Sequence, residues 1–310
     1  MNSLARAIQD YLDLRRSLGF KLEDAGSALS KFAAFVQARG ASHLTTALAV
    51  EWAQQNQAVQ PAAWAQCLGY VRGFARHHIA SDPQTEIPPP GLLPFRPRRA
   101  RPYLYSDEQI ERLLKCALQL PANGSLRPWT FHCLLGLLSV AGLRIGEAIR
   151  LKLEDVNLQE AVLTVRGTKF GKSRLVPVHR STQQVLGQYR ARRERFLAGR
   201  SASYFFITSR GNHLDIGDIH RTFYQLSRHI GLRAATASHG PRLHDFRHRF
   251  AVYTLLRWYR SGMDVERGLP VLSTYLGHVH VADTYWYLTA CPELMGQAVA
   301  RLEQRWETLP

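Results

Sequence analysis

The segment from Asp82 to Pro102, DPQTEIPPPGLLPFRPRRARP, limits what this chain can fold into more than any other segment. It has too many prolines to continue a helix and is too polar to form a core, so its composition is typical of an extended linker. The 310 residues suffice for two domains, since single cores rarely grow beyond about 250 to 300 residues. We therefore predict a domain at residues 1–82, a basic Pro-rich linker at 83–102 and a second domain at 103–310.

The spacing of apolar residues predicts that both domains are mainly helical. In the first domain apolar residues recur at three- and four-residue steps, and breaks at Gly40, Leu44–Thr46 and Gln60–Pro61 divide it into about four helices. In the second domain, Ser106 and the acidic residues after it are typical of a helix N-terminus. Residues 161–178 have β-branched side chains on both sides of a Gly-containing turn, which predicts a hairpin. The fold class is therefore mainly α with a small β-hairpin or sheet.

The last predicted helix runs from Pro292 to Trp306 and carries an apolar stripe. The stripe consists of Met295, Val299, Leu302 and Trp306. It is expected to dock either on its own domain or on a neighbouring protomer, and the pattern does not choose between the two.

The charge of the chain indicates a polyanionic partner. Forty Lys and Arg against 24 Asp and Glu give a net charge of +16 and a pI near 10.2. The excess is shared, because residues 1–102 hold 12 basic and 7 acidic residues and residues 103–310 hold 28 and 17. Double-stranded DNA is the default partner, and both domains are expected to face it. The linker arginines are candidates to follow DNA phosphates, or else to be solvated without specific contact: Arg96, Arg98, Arg99 and Arg101.

Composition also indicates in which cellular compartment the protein is expected. No segment approaches the roughly 20 apolar residues of a membrane span, and the N-terminus lacks the apolar region of a signal peptide. We therefore expect a cytoplasmic protein that associates with the nucleoid and has no membrane partner. The four cysteines are widely spaced without a CxxC pair, so neither a disulfide framework nor a cysteine zinc site is indicated.

Five separated fragments contain side chains that suit one phosphate-handling site: AGLRIGE, RGTKFGKSR, LHDFRHRFA, LGH and TYWYL. A phosphodiester attacked by an oxygen gains negative charge on its non-bridging oxygens. Guanidinium groups suit this charge because they stay protonated and present forked donors. We predict that Arg144 and Arg247 hold the phosphate, with an ordinary DNA contact as the alternative for each.

The histidines of these fragments have more than one interpretation. His244 stands one helical turn before Arg247, which would direct both side chains at the same substrate. His239 and His248 allow a zinc interpretation of His244, but no carboxylate and cysteine cluster completes a ligand set and the nearby arginines repel a cation. No metal site is therefore predicted. His278 either caps a helix or donates to the phosphate.

A leaving-group acid and a nucleophile complete the predicted chemistry. Lys169 lies in the hairpin turn, where its ammonium could protonate a departing 5′ oxygen. Lys172 competes for this role, and a solvated turn lysine is its alternative. Tyr285 and Tyr287 flank Trp286, and the chemistry alone leaves open which of them attacks phosphorus.

In order and spacing these fragments resemble the tyrosine recombinases, the phage-integrase-like enzymes. The resemblance covers residues 103–288, whereas the helical first domain resembles the core-binding domain of that family in type only. It implies that the catalytic residues are Arg144, Lys169, His244, Arg247, His278 and Tyr287. It places Glu147 in the acidic position after the first arginine, Thr284 before the nucleophile, and Lys172 as the competing lysine. The wording TYLGHVHVADTYWYLTACPEL also looks like recombinases carried by transposable elements.

The resemblance implies a site-specific DNA recombinase or integrase that needs neither metal nor nucleotide cofactor. It would join DNA to Tyr287 through a 3′-phosphotyrosyl link, hold duplex DNA in a clamp of two domains, and work as a homo- or hetero-tetramer on two sites. Two alternatives use the same fold: a type IB topoisomerase that relaxes DNA, and a non-catalytic DNA-binding regulator.

Overall fold

The computed structural model describes residues 3–93, 101–122, 124–167, 173–237, 239–289 and 291–307. The chain divides into two compact units, residues 1–100 and 101–310, and the division falls inside the segment predicted as a linker. Both units are mostly helical, and the second contains a small three-stranded sheet. The predicted fold class is confirmed.

The described residues of the first unit form four helices: α1 (Ser3–Ser17), α2 (Glu23–Ala38), α3 (Thr46–Gln54) and α4 (Pro61–His78). The breaks lie where the sequence places them. Gly40 follows α2 with a φ of 63°, which suits glycine. Thr45 Oγ1 accepts a hydrogen bond from Leu48 N (3.2 Å) and so caps α3. Pro61 begins α4, where its missing N–H breaks no helical hydrogen bond.

The first part of the predicted linker packs on the helices of the first unit. Thr46 N donates to Glu86 Oε2 (2.7 Å), and Arg72 donates through Nε to Pro88 O (2.6 Å) and through Nη2 to Pro89 O (2.9 Å). Leu93 is buried in the core of this unit. A proline-rich backbone has carbonyls but few N–H groups, so these acceptors need donors from elsewhere. The linker was predicted at 83–102, but its first part, up to Leu93, packs on the first unit. Arg72 stabilises this packing because it donates to the proline carbonyls.

The second unit contains nine described helices and three strands. The helices are α5 (Asp107–Leu118), α6 (Arg127–Ala141), α7 (Ile145–Ile149), α8 (Arg180–Leu197), α9 (Ile216–His229), α10 (His244–Arg260), α11 (Val265–Leu276), α12 (Ala282–Tyr285) and α13 (Pro292–Glu307). The strands are β1 (Val156–Asn157), β2 (Val162–Val165) and β3 (Arg174–Pro177), and short 3-10 helices lie at Leu153–Asp155 and Trp286–Thr289.

Local chemistry explains the start of this unit and its centre. Ser106 Oγ accepts from Gln109 N (3.2 Å) and Gln109 Oε1 accepts from Ser106 N (3.0 Å), a reciprocal pair that caps α5. Helix α6 is apolar on almost all sides, with Phe131, Leu134 and Leu138 fully buried. A helix that is apolar all round must lie inside, so α6 forms the centre of the unit.

The sheet has the order β1-β2-β3, with both pairs antiparallel. Val162 pairs with Pro177 and Val165 with Arg174, so the hairpin spans the region predicted from the sequence. Its register places Arg174 at the end of the hairpin nearest the turn.

The C-terminal helix packs on its own unit through a different face from the predicted stripe. Leu294 is fully buried, in the cluster that also contains Leu255 and Leu276. The stripe residues whose side chains are described, Met295, Val299 and Leu302, are exposed. No helix in the described part of the chain has the length and apolar composition that crossing a membrane requires.

Candidate active site

Arg144 lies in the turn between α6 and α7. Gly142 ends α6 in the left-handed conformation, with a φ of 58°. Arg144 follows in extended backbone, and its backbone N donates to Glu147 Oε2 (3.0 Å) while Nη1 donates to Glu147 Oε1 (2.8 Å). The side chain remains 39% exposed. Glu147 thus orients the guanidinium without covering it.

A second arginine, not predicted from the sequence, binds the same carboxylate. Arg174 donates through Nη1 to Glu147 Oε1 (3.1 Å) and through Nη2 to Glu147 Oε2 (2.8 Å), and both side chains are only 9% exposed. Burial raises the pKa of Glu147, but the hydrogen bonds and charge of Arg174, with those of Arg144, outweigh it and lower the pKa to about 2. The carboxylate is therefore ionised at neutral pH. The sequence contained one signal for Arg174, which is an arginine two residues after Lys172 at the start of the second strand of the hairpin.

Arg247 is 1% exposed and lies between two helix ends. Its Nη1 donates to Gly142 O (2.8 Å) and its Nη2 to Leu276 O (2.7 Å), at the C-termini of α6 and α11. Helix C-termini leave carbonyls without intrahelical partners and carry partial negative charge, so they suit a guanidinium. Burial, and then the nearby charge of Arg144, lower the pKa of Arg247 to about 10, which still leaves it protonated at neutral pH.

His244 and His248 lie on the first turns of α10. The two rings meet edge to face with centroids 4.6 Å apart. Burial lowers the pKa of each to about 4; for His244 the next cause is the charge of Arg247, and for His248 it is His244. His244 keeps an exposed edge, whereas His248 is buried and its Nδ1 has no hydrogen-bond partner among the described residues. Both imidazoles are therefore neutral at pH 7.

His278 takes part in the helix cap that was one of its two predicted interpretations, and donation to the phosphate stays a prediction. Gly277 N donates to Thr274 O (2.9 Å) and His278 N to Ser273 O (3.0 Å), so the backbone caps α11 in a Schellman arrangement. The His278 ring is separately held by a hydrogen bond between Nδ1 and Thr284 Oγ1 (2.8 Å), and Thr284 is fully buried. Burial, followed by the charges of Arg247 and Arg144, lowers the pKa of His278 to about 4.

Tyr287 lies among these groups on the 3-10 helix after α12. Its ring stacks on His278 with centroids 6.0 Å apart and meets the edge of His248 at 5.5 Å. Tyr287 lies close enough to Arg247 to act on the pKa of that guanidinium. Tyr287 is 3% exposed and Tyr285 is 51% exposed, so the structure brings only Tyr287 of this pair to the arginines.

The structure thus brings together Arg144, Glu147, His244, Arg247, His278, Thr284 and Tyr287. Lys169 and Lys172 lie outside the described residues, as do Arg96, Arg98 and Arg99. Arg101 is described and is exposed at the start of the second unit.

The charges of the described site favour an anion. Glu147 is the carboxylate that pairs with Arg144 and Arg174, Arg247 adds a third positive charge, and Asp245 beside His244 is paired with Arg242. The three histidines are neutral at pH 7. Within the described ranges no three His, Cys, Asp or Glu side chains are grouped so as to hold a metal ion. A phosphate oxygen would offset the excess positive charge.

Comparisons with known proteins agree with this geometry. The model of the phage integrase family matches residues 104–293. A putative integrase/recombinase of Sinorhizobium fredii, y4rB, is 61% identical over 311 residues, which cover 99% of this chain and 99% of the relative. The tyrosine recombinase XerD of Pseudomonas putida is 30% identical over 255 residues, covering 80% of this chain and 76% of the relative.

A solved structure shows the same fold. The Tn1549 transposon integrase in complex with transposon right end DNA has a TM-score of 0.67 and 15% identity, over 97% of this chain and 98% of that chain. The family match covers most of the chain and all of the site residues that the structure brings together. The chain belongs to the phage integrase family and is a tyrosine-type site-specific recombinase.

Proposed function

We propose that this protein cuts and rejoins DNA at specific sites through a 3′-phosphotyrosyl intermediate formed on Tyr287. The observation that carries the proposal is the place of the buried Tyr287, whose ring stacks on His278 and meets His248 beside Arg247, in a cluster with excess positive charge. The cations of this cluster stabilise the charge that develops on the phosphate.

In the proposed cleavage step one bond forms, one bond breaks and two protons are transferred. The Tyr287 oxygen attacks phosphorus, the bond from phosphorus to the 5′ oxygen breaks, and the 3′ phosphate remains joined to tyrosine. The phenolic proton passes to a neutral imidazole, and the 5′ oxygen receives a proton from Lys169, with Lys172 as the competing donor. Attack by the 5′ hydroxyl of a second duplex reverses the step and frees Tyr287. Because the phosphotyrosyl link conserves the bond energy, no nucleotide is needed.

The described side chains bind the phosphate and position its donors. Arg144, exposed and held by Glu147, and Arg247 bind the non-bridging oxygens of the phosphate. His244 and His278 are neutral at pH 7, so each donates one ring N–H to the phosphate. Nδ1 of His278 is taken by Thr284, so the nitrogen left to accept the phenolic proton is on His244. Thr284 fixes the His278 ring by its bond to Nδ1.

The partner is double-stranded DNA, and the assembly is a homo- or hetero-tetramer on two DNA sites. The net charge of +16 supports a polyanionic partner. We expect Arg101 and the linker arginines Arg96, Arg98 and Arg99 to follow its phosphates. The transposon integrase among the structural neighbours supports a role in a mobile element. A nucleoid-associated protein of the cytoplasm follows from such a substrate.

Covalent capture of DNA tests this proposal. Tyr287→Phe keeps the ring and removes the attacking oxygen, so it should abolish the covalent adduct on DNA that carries the recombination site. DNA affinity should stay near that of the wild type. Tyr285→Phe is the matched control, because its ring is exposed, and it should still form the adduct. An adduct that persists in Tyr287→Phe and disappears in Tyr285→Phe would overturn the assignment.

Adduct formation and plasmid relaxation separate the recombinase from the two alternative functions. A non-catalytic regulator forms no covalent adduct with any DNA. A type IB topoisomerase relaxes supercoiled plasmids that lack a cognate recombination site, whereas a site-specific recombinase requires that site. The relatives and solved structures reported above are integrases and recombinases.

A further inference from the structure

Arg174 joins three parts of the site that come from distant segments of the chain. It opens β3, its two terminal nitrogens hold both oxygens of Glu147, and its Nε donates to Tyr275 O (2.7 Å) near the end of α11. Three donors in one plane thus connect the sheet, the Arg144 turn and the helix that leads to His278. Arg174 itself is only 9% exposed and lies behind the side chains that face the substrate.

Glu147 transmits this arrangement to Arg144. Each of its oxygens accepts one bond from Arg174 and one from Arg144: Oε1 from the two side chains, and Oε2 from Arg174 Nη2 and Arg144 N. A carboxylate offers about four acceptor sites, so Glu147 is saturated. Its position, and hence that of the Arg144 guanidinium, depends on where Arg174 holds it.

Arg174 also packs directly on the end of α11. A Cβ atom placed on Gly277 would lie 2.6 Å from Arg174 Nη1 and 2.9 Å from its Cζ. Gly277 is therefore required both for its φ of 70° and for the space that the guanidinium occupies. Gly277 O in turn lies 3.4 Å from Arg144 Nη2, and His278 is the next residue. The same side chain thus contacts the supports of two phosphate donors.

We propose that Arg174 is a positioning residue that sets Arg144 and His278 in one geometry around the scissile phosphate. This inference rests on the proposed function, since it concerns the donors assigned there. A lysine keeps the charge but cannot supply three coplanar donors to Glu147 and Tyr275 O. Arg174→Lys should therefore displace the donors without removing any of them.

The test is single-turnover formation of the covalent adduct with enzyme in excess, so that the rate reports bound complexes and not the folded fraction. Two substrates are compared: a normal phosphodiester and a methylphosphonate at the scissile position. The methyl group replaces one non-bridging oxygen, so its transition state carries one negative charge fewer and depends less on guanidinium placement. Arg174→Lys should slow phosphodiester cleavage about tenfold to a hundredfold. The defect should be much smaller on the methylphosphonate, with DNA affinity nearly unchanged.

Arg166→Lys is the matched control. Arg166 lies on the same hairpin and donates Nε to the buried carboxylate of Asp155 (2.5 Å), but its side chain is 58% exposed and none of its described contacts reaches the site. It should cleave within about twofold of wild type, because lysine keeps the charge beside Asp155 and none of the described contacts of Arg166 reaches the phosphate donors. Gly277→Ala is a second variant that pushes on the same guanidinium, and it should repeat the substrate dependence of Arg174→Lys even if that protein folds poorly.

Three results would overturn the inference: no defect in Arg174→Lys, an equal defect on both substrates, or an equal defect in Arg166→Lys. The Tyr287→Phe variant, assayed in parallel, separates these results from failure of the proposed function. If Tyr287→Phe still forms the adduct, the proposed function fails and the inference fails with it. If Tyr287→Phe behaves as expected, the three results above reject the role of Arg174 alone.

Discussion

Arg144 and Arg247 share a predicted role but differ in what else they do. Arg144 is partly exposed, and its side chain is held by Glu147 on one side. Arg247 is buried and satisfies Gly142 O and Leu276 O, two carbonyls at helix ends. One arginine thus keeps part of its guanidinium open to solvent, and the other also joins α6 to α11.

This difference predicts distinct effects of substitution. Arg144→Ala and Arg247→Ala should each slow cleavage by about 10² to 10³, the usual loss for one preorganised donor. Only Arg247→Ala should also lower the free energy of unfolding, by at least about 2 kcal/mol, because it leaves two buried carbonyls without donors. Single-turnover cleavage and urea unfolding measure the two effects. Equal stability of the two variants would contradict the structural role of Arg247.

At the scale of elements, the site is built mainly from the ends of helices. The glycine-terminated ends of α6 and α11 place Arg144, Arg247 and His278 close together, and α10 begins at His244. The sequence predicted that His244 and Arg247 share one helix face. They interact electrostatically, yet the first is exposed and the second is buried, because Arg247 turns to the carbonyls of two neighbouring helices.

The hairpin carries a prediction of its own. If Lys169 protonates the leaving 5′ oxygen, Lys169→Ala should be slow on a phosphodiester and largely recover on a 5′-bridging phosphorothiolate, whose sulfur leaves without a proton. Lys172→Ala should show a smaller defect and no recovery. Rates of adduct formation on the two substrates give the comparison. Recovery in Lys172→Ala alone would move the acid three residues along, and recovery in neither would place it outside the hairpin.

At the scale of the whole molecule, three site histidines that differ in exposure make stability depend on pH. Burial and cationic neighbours lower the pKa of His244, His248 and His278 to about 4 from an ordinary value of 6.5. Below pH 6.5 the unfolded chain binds protons that the folded protein does not. Protons therefore favour unfolding, and the free energy of unfolding should fall as the pH drops from 6.5 toward 5. Glu147 contributes only below its ordinary pKa of 4.5 and so stays outside this window.

His248→Gln isolates one part of this dependence. The His248 ring faces His244 on its own helix and Trp286 and Tyr287 from the C-terminal segment, and the charges that act on it are those of Arg242, Asp245 and Arg247. Removing its titration should make the pH dependence of the urea midpoint shallower between pH 6.5 and pH 5. The same slope in both proteins would show that His248 is protonated alike when folded and unfolded.

Much of the fold could be predicted from the sequence, because helices and hairpins follow local patterns. The period of apolar residues, Gly40, Thr45 and Pro61 defined the helices of the first unit, and the β-branched run defined the hairpin. The family and the order of its motifs also lie in the sequence, since residue identity and spacing suffice to recognise them.

Burial and pairing were decided only by the tertiary structure. Arg174 and Glu147 are 27 residues apart, and Arg247 reaches Gly142 across 105 residues, so no local pattern relates them. Tertiary contacts also decide that residues 83–93 pack on the first unit, and that Met295, Val299 and Leu302 are exposed. A sequence pattern states which side chains are apolar or charged. Which of them meet depends on how distant elements pack, and that packing places Tyr287 rather than Tyr285 against Arg247.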